Sequence, residues 1–181
     1  IRLYAEVLVL DGSLAREAGD NERARSAFAA ACQACAGPAS AQPERLDLVD
    51  MHARTLLALA EQCRVEGDRA TAKRDTDRAL AILRRGLGKE ARDPLRRQLL
   101  REGLEVRVRL SHADGDHAAA RACLNEFLGL LDATDEAHGA LTLATFCLDH
   151  TTAGDARDAY LTQALALMQA GAARNLLDAQ I

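Results

Sequence analysis

The apolar residues of this chain recur with the spacing of one helix face. Between positions 44 and 66 they lie three or four residues apart, at Leu46, Val49, Ala53, Leu56, Ala60 and Cys63. Such positions share one side of an α-helix, so the pattern predicts a helix with a buried face. Extended along the chain, the pattern predicts helices over 1–18, 21–36, 44–66, 69–87, 94–113, 117–132, 135–152 and 156–170, and a short ninth from about 172.

A Gly-Asp dipeptide separates successive helical segments at 19–20, 67–68, 115–116 and 154–155. Glycine ends a helix in the left-handed conformation without a Cβ clash, and aspartate accepts backbone N–H bonds as the N-cap of the next helix. Each dipeptide therefore predicts a tight turn between antiparallel helices. The three prolines lie in 37–43 and 88–94, which we interpret as links between helix pairs.

Composition favours an all-α fold and excludes some partners. Alanine (38) and leucine (29) dominate the 181 residues, whereas valine, isoleucine and aromatic residues, which fill sheets, are scarce. The net charge of −4 and the five aromatic residues argue against nucleic-acid binding. No stretch approaches the roughly 18 apolar residues of a membrane span. We expect neither nucleic acid nor a membrane as partner.

Cysteine usage and the chain's first residues bear on its cellular context. The five cysteines are an odd number within helical segments, which indicates reduced thiols and a cytoplasmic location. The chain starts at Ile1 without methionine, and its first residues already have the pattern of the middle of a helix. We therefore expect it to be a piece of a longer protein. Exposed apolar surface is expected at one or both ends, covered by the parent chain or by a second copy in a homo-oligomer.

The residues around the first turn resemble tetratricopeptide repeats. Gly12 lies seven positions before Gly19, and Ala24, Phe28 and Ala31 lie five, nine and twelve after it. That order of small, alanine, large and alanine residues is the pattern of this family.

The later repeats match this pattern less closely. In the second repeat, Thr76 stands where the pattern has a large residue. In the third, Val108 and Phe127 stand where it has small residues, and in the fourth Gln163 does not fit the pattern. The turn glycines are 48, 48 and 39 residues apart, whereas the usual unit has about 34. We interpret the difference as helices lengthened by one or two turns.

The resemblance implies one domain over 1–181, a right-handed solenoid of about four antiparallel helix hairpins. The repeats would span approximately 1–37, 44–88, 94–133 and 135–171, with 172–181 starting a capping helix. In this family the first helix of each pair lines a concave groove that binds a peptide or protein segment. The implied function is therefore a non-catalytic protein–protein interaction scaffold.

The repeat register places charged residues along this implied groove. Arg16, Arg64 and His112 each lie three residues before a turn glycine, which would make them a ladder. Other charged residues would share the face: Glu61 and Arg109 one turn away, and Arg54, Glu102 and Glu105 further along. Because guanidinium groups can grip both oxygens of a carboxylate, we expect an acidic partner.

Two other interpretations stay open. The charges can be an ordinary solvated face, with Glu61 pairing with Arg64 inside its own helix. Alternatively, the groove takes a small anionic ligand, and the chain is a regulatory or sensor module of a larger signalling protein.

The residue types that support catalysis or metal binding do not form a complete motif. Cys32 and Cys35 form a CxxC without a second ligand pair, so we interpret them as packed thiols. His112 and His117 flank two aspartates, one of which belongs to the 115–116 turn. A metal-dependent enzyme centred on these two histidines is a third possible function, beside the scaffold and the sensor module. Phosphate-binding loops and nucleophile elbows are missing from the sequence, so we expect no enzyme, cofactor or metal.

Overall fold

A computed structural model describes residues 1–87, 93–130, 154, 157–159, 161–162 and 165. The described residues form helices and no strand, which confirms the all-α prediction for this part of the chain. The helices are α1 (Arg2–Glu17), α2 (Asn21–Ala41), α3 (Leu46–Val65), α4 (Arg69–Leu87), α5 (Pro94–Ala113) and α6 (His117–Gly129).

The chain divides into two compact units, Ile1–Leu110 and Ser111–Ile181. The helix predicted over 135–152, the one from about 172, and most of the one over 156–170 lie outside the described residues. The fourth repeat, 135–171, therefore stays a prediction.

The Gly-Asp turns have the local geometry that the sequence predicts. Gly19 has φ +78°, and its N–H donates to the Arg16 carbonyl at 3.0 Å. The Asp20 N–H donates to the Ala15 carbonyl at 2.9 Å, and Asp20 Oδ1 accepts the Arg23 N–H at 3.0 Å. This is a Schellman motif followed by an N-cap. The turns at 67–68 and 115–116 repeat all four features, and Gly154 also has a positive φ.

Helix α2 is longer than the sequence predicts. It continues through Pro38 to Ala41, whereas the prediction placed Pro38 in a link after residue 36. Proline disfavours helical geometry partly by clashing with the Cβ of the residue before it, and Gly37 has none. The last turn of α2 is further closed by the Gln42 N–H, which donates to the Pro38 carbonyl at 3.0 Å.

The first unit is built by helices that pack in chain order. α1 packs on α2, α2 on α3, and α3 on α4, while α1 also contacts α3. Phe28 of α2 lies in the core between these helices and is almost fully buried. A Cβ on Gly12 would lie 2.7 to 3.0 Å from three Phe28 ring atoms. The close approach of α1 to α2 therefore requires a glycine at this position.

A buried arginine attaches α5 to α3 and α4. Arg96 is fully buried, and its Nε and Nη2 donate to the two carboxylate oxygens of Asp50 at 2.9 and 2.8 Å. Its Nη1 donates to the Gly86 carbonyl at 3.1 Å. A Cβ on Gly86 would lie only 2.8 Å from Arg96 Nε. Position 86 therefore has to be glycine for the guanidinium to enter.

Substitutions at Gly67 test the turn geometry. Gly67 has φ +85°, and nothing lies within 4 Å of a Cβ placed there, so the cost of a side chain is purely backbone strain. We expect Gly67→Ala to lower the free energy of unfolding by about 1–2 kcal/mol. Gly67→Asn should cost less, because asparagine tolerates this conformation. Urea unfolding measures both; an alanine variant as stable as the wild type would contradict the assignment.

Two aspartates of α3 test the buried ion pair against an exposed one of the same geometry. Asp50 holds buried Arg96, whereas Asp47 holds exposed Arg45 through two bonds of 2.9 Å. Asp50→Ala leaves a buried charge uncompensated, and we expect it to lower the free energy of unfolding by about 3–5 kcal/mol. Asp47→Ala should change it little, because solvent screens that pair. Equal losses in urea unfolding would show that burial of Arg96 is not what makes the pair matter.

Candidate functional site

Five of the eight predicted groove residues line one cavity of the first unit. The cavity has a volume of about 360 Å³ and lies between α1, α3 and α5. Its charged lining consists of predicted residues: Arg54, Glu61, Glu102, Glu105 and Arg109. Its apolar lining is Val9, Leu57, Ala58 and Val106. The cavity thus combines an apolar floor with a charged rim.

Two of the predicted arginines are paired within their own helices. Arg64 Nε and Nη2 donate to both Glu61 carboxylate oxygens at 2.8 Å, and this hydrogen bonding raises the pKa of Arg64 above its usual range. Arg109 Nη2 donates to Glu105 Oε1 at 2.5 Å. The pairing of Glu61 with Arg64 is the one that the solvated-face interpretation predicts. Each of these two guanidinium groups would have to break its ion pair within the helix before it could bind a carboxylate of a partner.

Arg54 differs from these two arginines. Its side chain is exposed on α3, and it takes part in none of the ion pairs or hydrogen bonds among the described residues. Glu102, across the cavity on α5, accepts a hydrogen bond from Gln98 at 3.0 Å and has no arginine partner among the described residues. Within the described part of the chain, Arg54 on one wall of the cavity is therefore an unpaired cation. On the other wall, the Glu102 carboxylate is hydrogen-bonded, among these residues, only to the neutral amide of Gln98.

The structure does not place Arg16, Arg64 or His112 in the lining of this cavity. The Arg16 guanidinium lies over the Phe28 ring, 5.7 Å from its centre, which is cation–π geometry. His112 belongs to the second unit, where it is 8% exposed. The centres of the His112 and His117 rings are 5.2 Å apart, and the ring planes are nearly perpendicular. The ladder of Arg16, Arg64 and His112 spans both units and stays a prediction.

The cysteines are free thiols in the described structure. Cys35 and Cys63 are buried, Cys32 is half-buried, and burial raises the pKa of all three. A raised pKa leaves less of the nucleophilic thiolate at neutral pH. Within residues 1–87 and 93–130, no three metal-ligating side chains lie close enough together to hold an ion.

A second and larger cavity of the first unit is lined by none of the residues that the sequence predicts for a site. It has a volume of about 740 Å³ and lies between the end of α2, the start of α3 and the second half of α4. Its polar lining includes His52, Arg78 and Arg85. Arg78 and Arg85 are seven residues apart and therefore share a face of α4. That spacing is the one sequence signal that could have indicated this site.

His52 is the buried member of this second cavity. It is 7% exposed, and its Nε2 has no hydrogen-bond partner. Burial, and then the positive charge of Arg78, lowers the pKa of the imidazole. Both effects favour the neutral form of the imidazole.

Comparisons with known proteins do not assign this chain to a family. No protein-family model matches it, and no curated protein sequence is significantly similar to it. The described helices include none that is both long and apolar enough to cross a membrane.

Proposed function

We propose that this chain is a non-catalytic, tetratricopeptide-like interaction scaffold of a cytoplasmic protein. In this proposal its helix hairpins continue as a right-handed solenoid, and a peptide or protein segment binds in the cavity lined by α1, α3 and α5. The observation that supports it most is the combination of an apolar floor with Arg54, an exposed cation without a carboxylate partner. Grooves of this kind anchor an apolar side chain and use a few polar groups to orient it.

The charges of the rim define the partner more closely. The cavity lining holds two arginines and three glutamates, so a strongly acidic segment would meet repulsion. A better match is a segment with one carboxylate opposite Arg54 and a cation opposite Glu102. An apolar side chain between them would rest on Leu57 and Val106. We therefore narrow the expected acidic partner to one of mixed charge.

Peptide selection tests this groove. We would select binders from a random-peptide library on the wild-type chain and measure them against Arg54→Glu. Loss of a charged hydrogen bond is worth about 1.5–3 kcal/mol, so we expect the affinity to fall by about ten- to a hundredfold. Arg45→Glu is the matched control, because Arg45 is exposed near the start of the same helix but outside the cavity.

The selected sequences and the stability of the variants complete this test. The selected peptides should be enriched in segments with one acidic and one apolar residue. The Arg54→Glu variant should melt at nearly the wild-type temperature. Binders that tolerate Arg54→Glu as well as Arg45→Glu would reject the groove as their site.

A second surface supports the expected homo-oligomer. Four large apolar residues of α1 face solvent opposite its packed side: Leu3, Val7, Leu10 and Leu14, which are 74, 55, 60 and 57% exposed. Their spacing of four, three and four is the heptad seam of paired helices. We infer that this stripe pairs with the same stripe of a second copy.

The charges beside the stripe favour antiparallel pairing. Glu6 flanks one side and Asp11 the other. Glu6 forms an ion pair with Arg2, and Asp11 forms one with Arg23, but exposed ion pairs compensate a charge only weakly. Parallel helices would bring Glu6 of each copy beside Asp11 of its partner, and these like charges repel. Antiparallel helices would instead bring Glu6 near Ser13 and Asp11 near Tyr4, without a like-charge contact.

Sedimentation velocity tests the α1 pairing. One 16-residue helix gives an interface at the small end of stable complexes, so the dimer should form only at concentrations on the order of 100 µM. Leu10→Glu should abolish it. Leu95→Glu, which alters a similarly exposed leucine of α5, should leave it intact. A wild-type chain that stays monomeric at all concentrations would overturn the pairing.

A further inference from the structure

The second cavity of the first unit has the size and lining of a small-molecule site. Its volume of about 740 Å³ falls in the usual range of ligand pockets. Three helices supply its walls, and most of the lining is apolar: Ala39, Pro43, Leu46, Val49, Ala81 and Ile82. An apolar ligand body of moderate size fits this lining. The cavity is separate from the peptide groove, so the inference does not rest on that proposal.

The charged side chains among the described residues of this cavity's lining are all cations. Arg78 and Arg85 project from α4, and no carboxylate is among the described lining residues. Arg85 Nε donates to the Ala81 carbonyl of its own helix at 3.2 Å. The nearest acid to Arg78 is Asp75, at 3.7 Å, and Arg74 holds the same carboxylate more closely at 3.0 Å. The positive charge at this cavity is therefore only partly compensated.

His52 adds an independent indication of a missing partner. It lines the cavity, is more than nine-tenths buried, and has an Nε2 without a hydrogen bond. Buried polar atoms almost always have a partner, so an orphan beside a cavity needs a physical reason. A bound polar group that reaches the ring would supply one.

We propose that the cavity between α2, α3 and α4 binds a small amphipathic anion, with one carboxylate or phosphate on an apolar body. The head group lies between Arg78 and Arg85, within reach of the His52 ring, and the body lies along Leu46, Val49 and Ile82. Guanidinium groups bind both kinds of head group through paired, charge-assisted hydrogen bonds. This occupant provides a counter-charge for the partly compensated arginines, a hydrogen-bond partner for His52 Nε2 and apolar contacts for the walls.

Three probes of equal chain length separate the contributions of head group and body. Hexanoate, hexyl phosphate and hexanol would be titrated into the chain, with binding followed by calorimetry and by the NMR signals of the histidine rings. The His52 signal is assigned through its loss in His52→Gln. We expect one or both anions to bind and shift it, and hexanol to bind at least tenfold more weakly. The stronger of the two anions identifies the head group.

Variants of α4 locate the site. Arg78→Gln combined with Arg85→Gln should weaken anion binding by at least tenfold. Arg84→Gln, one residue from Arg85 on the same helix but outside the cavity lining, should leave it unchanged. Anion binding that survives the double substitution, equal binding of hexanol, or no binding of either anion would each overturn the proposal. Circular dichroism verifies that the double variant is folded, so a loss of binding cannot reflect unfolding.

Discussion

The arrangement of the first unit depends on one buried guanidinium. Arg96 of α5 contacts two other helices: Asp50 of α3, which is 46 residues away, and the Gly86 carbonyl at the end of α4. A buried charge is stable only when its hydrogen-bonding groups are satisfied. The helices must therefore adopt positions that bring the carboxylate and the carbonyl to this side chain. Apolar packing alone would allow α5 to slide, because dispersion contacts are not directional.

The position of α5 in turn determines the cavity between α1, α3 and α5. Glu102, Glu105 and Arg109 of α5 face Arg54 and Glu61 of α3 across the cavity. A shift of α5 by one turn, about 5.4 Å along its axis, would replace these facing residues with others. The ion pair that stabilises the fold therefore also sets the distance and register of the candidate binding surface, although it takes no part in that surface.

Helix α3 serves both cavities because opposite sides of it face different neighbours. Arg54 and Glu61 point toward α1 and α5, while Val49 and His52 line the space next to α2 and α4. The two cavities differ in charge. In the first, Arg109 is paired with Glu105 of its own helix while Arg54 is unpaired among the described residues and glutamates outnumber arginines, which suits a partner of mixed charge. In the second, the positive charge of the arginines is only partly compensated, which suits an anion.

What the sequence determined by itself is local. The Gly-Asp turns were predictable because a positive φ and an N-cap involve only residues within five positions of each other. Helical spacing places Arg54 and Glu61 on one face of α3, and Glu102, Glu105 and Arg109 on one face of α5; these five residues line one cavity. The extension of α2 through Pro38 was not predicted. Proline usually ends a helix partly by clashing with the Cβ of the preceding residue, and Gly37 has no Cβ.

Only the tertiary structure decided the contacts between distant segments. Arg96 and Asp50 are 46 residues apart, and nothing in either local sequence marks it as buried, because a charged residue on a helix is usually solvated. The cavity of His52, Arg78 and Arg85 likewise forms from separate helices. Whether Arg54 or Arg64 keeps a free guanidinium also depends on which carboxylates the packing brings near. Helical periodicity specifies the face on which a residue lies, whereas its partners depend on how the helices are packed.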